Sequence, residues 1–202
     1  MPTILSVVIE SRPDWRIRAF DEDTKLICTY ALGKRTAETT ERFMDDLSRR
    51  IITPSWGEVM SGAPPPQIST DGFKPYPNAV ANSFGELVTY GIQIKNYKNL
   101  ESGRYAPPDL ANVDRRSEWG VQNPMTITTS HVERNNLTIR TFMKRFARLT
   151  LGFSKKLPNL RAAVALHVFF HNFCRIHGSL KMTPAMKAGV TDRLWSLEDL
   201  FG

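Results

Sequence analysis

Ser130-His131-Val132-Glu133-Arg134-Asn135-Asn136 reads as the opening of a helix, and that reading orders the rest of the 202-residue chain. Behind it Val132, Ile139, Phe142, Met143, Phe146 and Leu149 recur at helical spacing, which predicts one helix over Ser130–Leu149. Glu133 is the last acidic residue before Asp192, and the interval between them holds eleven Lys or Arg. Residues 134–191 thus contribute +11 to a net charge of +7, and the remainder sums to −4. A lone carboxylate at the head of so basic a segment suggests metal chemistry beside a polyanion; a merely solvated basic surface is the plain alternative.

Upstream of that helix the periods are those of strands. Ile4–Ile9 is a β-branched run, Trp15–Phe20 alternates apolar with charged residues, and the acidic turn 21–24 leads into Leu26–Leu32, a hairpin signal. Thr36–Ile52 changes to a helical period, with Thr36 as N-cap and Phe43, Leu47 and Ile51 on one side. A proline-rich turn over 62–66 delivers a short strand, Gln67–Thr70, ending at Asp71-Gly72. A brief helix over Pro77–Phe84, stopped by Gly85, precedes another strand over Val88–Ile94. Residues 96–128 hold prolines and scattered charges without a period and are expected to form a long loop.

Downstream, a helix from Pro158 to about Ile176 is apolar nearly all round, which predicts burial. Thr183-Pro184 opens a short turn ending at Gly189, and Ser196 is placed to cap a last helix. The order implies one α/β domain over 1–202: a mixed sheet flanked by helices, an atypical start over 1–13 and a helical C-terminal part over 158–202. An apolar content of 41% with 10% aromatics is that of a folded chain. Two cysteines make no disulfide framework and point to a reducing cytoplasm, and no apolar run is long enough to span a bilayer.

Asp71, at the end of a strand, and Glu133, in a first helical turn, are carboxylates that together suit Mg²⁺ or Mn²⁺. Each also has a local reading: Ser130-x-x-Glu133 as a capping box, Asp71-Gly72 as a turn dipeptide. Arg134, Arg140, Lys144, Arg145, Arg148, Lys155 and Lys156 suit phosphate backbones. A competing metal site is His167-x-x-x-His171-x-x-Cys174, with His177 beyond, spaced like zinc ligands on one helical face; buried structural histidines are the alternative. Nucleophile-elbow, dinucleotide-binding and phosphate-loop motifs are absent.

Several stretches taken together resemble bacterial insertion-sequence transposases of the DDE superfamily. They are Thr70-Asp71-Gly72-Phe73-Lys74-Pro75-Tyr76, then His131-Val132-Glu133-Arg134-Asn135-Asn136 with Arg140, then Arg148-Leu149-Thr150-Leu151-Gly152-Phe153-Ser154-Lys155-Lys156. Asn172-Phe173-Cys174-Arg175-Ile176-His177 and Thr183-Pro184-Ala185-Met186-Lys187-Ala188-Gly189 extend the likeness over roughly 14–201. The resemblance implies an RNase H-like catalytic fold that cleaves and joins DNA with Mg²⁺ or Mn²⁺, Asp71 resembling the family's second catalytic Asp and Glu133 its Glu. It further implies DNA partners at transposon ends and target, a homo-oligomer, and action at the nucleoid of a bacterial cytoplasm. The family's first Asp sits on the first strand, where Ile4–Ile9 has none; Glu10 and Asp14 are nearby carboxylates, and neither matches the motif. The family's usual N-terminal DNA-binding module is not in this sequence. Two readings therefore stand beside an active transposase: an inactive, truncated copy that still binds DNA, and a metal-dependent nuclease of the same fold.

Overall fold

The computed structural model describes residues 3–10, 15–97, 110–146, 152 and 156–201; within these, the side chains at 8–10, 15–17 and 145 are not described. Strands β1 (Ile4–Glu10), β2 (Trp15–Asp21) and β3 (Ile27–Gly33) form an antiparallel meander. Helix α1 (Ala37–Ser48) and the short α2 (Trp56–Met60) then return the chain to β4 (Gln67–Asp71), which lies parallel to β1. Helix α3 (Tyr76–Phe84) crosses to β5 (Thr89–Tyr97), parallel to β4, and β6 (Leu110–Trp119) folds back antiparallel. The result is one six-stranded mixed sheet in the order β3-β2-β1-β4-β5-β6.

Local chemistry explains the ends of these elements. Thr36 caps α1 by accepting from the Thr39 amide at 3.3 Å, satisfying one of the donors a helix start leaves without a partner. Ser55 and Glu58 form a reciprocal capping box on α2, a helix that the sequence reading did not anticipate. Gly85 ends α3 at φ 57°, a backbone state that a side chain disfavours.

Strand alternation divides the sheet into two faces. Leu5, Val7, Ala19, Ile68, Tyr90 and Ile92 point to one face, where Phe43, Met44 and Leu47 of α1 and Val80 and Phe84 of α3 close a dry core. Burying each large apolar side chain there contributes roughly 1.5–3 kcal/mol. The opposite face carries Ser6, Arg18, Phe20, Ser69 and Gln93, buried beneath α4 (Ser130–Phe142). Its apolar cluster is small: Phe20, Ile27 and Val132, with Val168 against them.

Three expectations are corrected here. Residues 96–128 are not one long loop, because β6 occupies Leu110–Trp119 and pairs with β5 along its length. It is an outer strand with mostly exposed side chains, so no inward face imposed an apolar alternation on its sequence. Helix α4 stops at Phe142; Met143 is extended at φ −111°, ψ 99°, and a single 3₁₀ turn follows over Lys144–Phe146. The helix expected from Pro158 to Ile176 is α5 (Leu157–Phe169), succeeded by a π-helical turn over Phe170–Cys174. It is also less buried than its composition predicts: Leu160 and Val164 are covered, whereas Leu166 and Phe170 are more than 40% exposed.

The π turn docks this C-terminal part. Asn172 Oδ1 accepts from the Ile27 amide and its Nδ2 donates to the Ile27 carbonyl, both at 3.0 Å, so one side chain pairs with β3 as a neighbouring strand would. The short α6 (Pro184–Lys187) is capped by Thr183 Oγ1, as the sequence indicated; the last helix expected after Ser196 is instead a single 3₁₀ turn over Glu198–Leu200, with Leu197 at its N-cap and Ser196 Oγ accepting from the Glu198 and Asp199 amides. Among the described residues no helix is long and apolar enough to cross a membrane.

Candidate active site

The site is assembled at the C-terminal end of β4, where parallel strands direct their last side chains toward the face under α4. Asp71 is the final residue of β4 and stands in register with Gln93 of β5. Gln93 Oε1 accepts from both the amide and the hydroxyl of Thr129, at 2.9 and 2.7 Å, fixing the start of α4 over β5. One turn later Glu133 Oε1 accepts from the same Thr129 hydroxyl at 2.9 Å. A hydroxyl has one hydrogen, so Gln93 and Glu133 share it. Thr129 thus ties Glu133 to Gln93, the register partner of Asp71.

Entry into α4 needs a second device. Ile127 is fully buried against β5, and a Cβ at Gly91 would stand 2.5 Å from its Cδ1, so only glycine admits that approach. Thr129, rather than Ser130, is the N-cap residue, and Ser130 is the first helical position. The capping box expected between Ser130 and Glu133 is therefore not formed, which frees the Glu133 carboxylate from a purely local role.

Asp71 is the more perturbed carboxylate. Burial raises Asp71 above its ordinary range, the Arg35 guanidinium and the Phe73 amide lower it, and the charge of Glu133 raises it again. Asp71 Oδ1 accepts from the Phe73 amide at 3.1 Å, and Oδ2 lies 3.6 Å from Arg35, whose guanidinium rests 4.1 Å above the Phe73 ring. Glu133 Oε2 is paired with Lys95 of β5. Each acid thus has its own cation. Lys95 was legible in principle, since alternation places it on the same side as Gln93; Arg35, in a turn before α1, had no such signal.

Oxygen donors of this kind fit a hard divalent ion such as Mg²⁺ or Mn²⁺. Among the described residues no group of three His, Cys, Asp or Glu side chains is placed to hold a metal. Val7 of β1 pairs with Thr70, which puts apolar Val8 at the level of Asp71, and Glu10 closes the strand two residues on. The Glu10 side chain and the whole of Asp14 lie outside the described residues.

Of the residues expected to meet phosphate, Arg134 is exposed on α4, and Arg140 is half-buried with its Nε donating to the Asn136 carbonyl at 3.4 Å. Lys144 is exposed but belongs to the 3₁₀ turn, and Lys156 is exposed just before α5, so these cations do not share one helix. Arg148 and Lys155 fall outside the described residues, as does the side chain of Arg145.

The histidine alternative does not assemble a zinc site among the described residues. His167 and His171 stack with centroids 6.4 Å apart, and burial pushes each imidazole down to about 4, which keeps both neutral. The π turn carries Cys174 out of the α-helical register that the spacing assumed. Both cysteines are free and half-buried, and burial pushes the Cys28 thiol up to about 12, which disfavours a reactive thiolate.

No protein-family model matches this sequence, and a comparison with curated proteins found no match.

Proposed function

We propose that this chain is a DDE-type transposase catalytic domain, performing metal-dependent DNA strand cleavage and strand transfer for an insertion sequence. The observation that carries the reading is the placing of Asp71 at the end of β4, in register with Gln93, and of Glu133 in the first turn of α4, tied to the same Gln93 through the Thr129 hydroxyl. The order β3-β2-β1-β4-β5, with β1, β4 and β5 parallel and β2 and β3 antiparallel, is compatible with an RNase H-like arrangement and supports the same reading.

Asp71 and Glu133 would hold Mg²⁺ or Mn²⁺. When bound, the ion supplies Lewis-acid stabilisation of charge developing on a phosphodiester. The chain's own residues supply the rest. Lys95 and Arg35 balance the two carboxylates before the ion arrives. Thr129 holds Glu133 in place through Gln93. Arg134, Lys144 and Lys156 offer exposed cations for the backbone of transposon ends and target, an attraction that salt weakens. Pairing two ends calls for a homo-oligomer, acting in a bacterial cytoplasm.

The test is strand cleavage and joining on DNA with Mg²⁺ or Mn²⁺, comparing the native chain with Glu133→Gln and Asp71→Asn. Both variants should fall to background while still binding DNA. Activity surviving Glu133→Gln sinks the assignment, and cleavage without joined products identifies a nuclease of the same fold. One observation favours a second reading, an inactive DNA-binding copy: no third acid joins the pair among the described residues. That reading expects binding that is sensitive to salt and indifferent to the divalent ion.

A further inference from the structure

On the far side of α4 from Asp71 lies a second concavity, of about 370 Å³, between the β2–β3 turn, the outer flank of α4 and the segment after the π turn. Lys25, Arg134, Thr138, Arg175, His177 and Ser179 are among the residues that line it, and among the described residues no carboxylate does. These cations come from three separate parts of the chain, so the tertiary structure alone brings them together.

Their charge is poorly offset. Among the described residues neither Arg134 nor Arg175 is paired with a carboxylate; Arg175 instead rests 5.0 Å from the centre of the Phe142 ring. Two acids adjoin the pocket: Glu22, which lies 3.6 Å from His131 and accepts from the Ser6 hydroxyl, and Asp23, whose charge reaches His131. Burial pushes Glu22 up to about 7, so near neutral pH it is only partly ionised. His177 reports the resulting field: burial lowers it, and Lys25 and Arg175 lower it further. Its Nδ1 is 3.0 Å from Ser179 Oγ, so the ring and the hydroxyl are held side by side at the rim.

A concavity whose lining includes three cations, two hydroxyls and the Asn135 amide, with no acid among the described lining residues, suits a compact, multiply charged oxyanion, because charge-assisted hydrogen bonds to such a group are the strong ones. We propose that this pocket is a phosphate-binding site, taking either a free phosphate or pyrophosphate or a phosphate of a DNA backbone. The site is separate from Asp71 and Glu133, and it stands whether or not those residues cut DNA.

The test uses the full chain in chloride buffer, with inorganic pyrophosphate as probe and two readouts: calorimetric affinity and the NMR titration of the His177 ring. Pyrophosphate should raise the His177 pKa, reversing the sign of the local field. Arg175→Gln should weaken binding on the order of tenfold, and so should Lys25→Asn, a residue that tolerates the left-handed backbone at position 25 (φ 62°). Glu133→Gln should leave the affinity unchanged, which separates this pocket from the candidate active site. A short DNA duplex that displaces pyrophosphate from the His177 signal identifies backbone phosphate as the source, and a duplex that does not identifies the free anion. The proposal is overturned if pyrophosphate leaves His177 unmoved, or if folded Arg175→Gln and Lys25→Asn bind it as well as the native chain.

Discussion

The two faces of the sheet are built from the same strands and solve opposite problems. Against α1 and α3 every inward residue of the central strands is apolar or satisfied locally, as Thr70 is by the Tyr90 hydroxyl at 2.7 Å. Under α4 the alternate residues of those strands are Ser6, Arg18, Ser69 and Gln93, and the helix answers with Thr129 and Asn135. One face thus stabilises the fold through close packing, which tolerates no charge. The other holds α4 by directional hydrogen bonds, and it is the face that carries Asp71 and Glu133. A polar face of this kind contributes less to stability per residue but fixes position, as a site requires.

The sharpest way to break that contrast is to cut into the dry face. Phe43→Ala should lower the unfolding free energy by about 3–5 kcal/mol, measured by urea denaturation, because the side chain is 2% exposed and its removal leaves a cavity. A loss under about 1 kcal/mol would mean that α1 is not the lid of this core.

The polar face should instead show itself through pH. His167 and His171 are held near 4 by burial, against an ordinary 6.5, so the unfolded chain binds their protons first. Their contribution is fully present above 6.5 and is lost as pH falls from there toward 4. Denaturation midpoints at successive pH values should fall across that window, and His167→Gln with His171→Gln should flatten the fall.

Glu22 has the opposite sign. Its folded value near 7 lies above the ordinary 4.5, so its ionisation opposes folding increasingly as pH rises through that interval. At pH 8 Glu22→Gln, which leaves an amide to meet the Ser6 hydroxyl, should raise stability by about 1 kcal/mol or less, the smallest of these effects. A loss at pH 8 would show that the Ser6 contact outweighs burial.

Legibility followed the two faces closely. Strands β1 to β5 and helices α1 and α3 could be read because a half-buried element repeats its apolar residues at its own period. Strand β6 could not be, since an exposed outer strand satisfies its backbone on β5 without needing apolar side chains. Helix α2 rests on a capping box and buries nothing, so its signal was a four-residue pattern in a polar stretch. The apolar run of α5 misled because composition reports what a helix could bury, and only packing decides what it does bury. At the candidate site Asp71 and Glu133 were visible as residue types in position, whereas Arg35, Lys95, Gln93 and Thr129 were ordinary letters until contact gave them partners.

By itself the sequence determined the basic character of 134–191, the alternation of strands and helices, and the placing of one acid at a strand end and another at a helix start. These are local or additive properties, set by side-chain chemistry and by periods of about two and 3.6 residues. Only the tertiary structure decided that β4 enters beside β1, that Thr129 ties Glu133 to Gln93, and that Lys25, Arg134 and Arg175 line one pocket. Those are juxtapositions of residues distant along the chain, and distance in sequence carries no information about them until the core has closed.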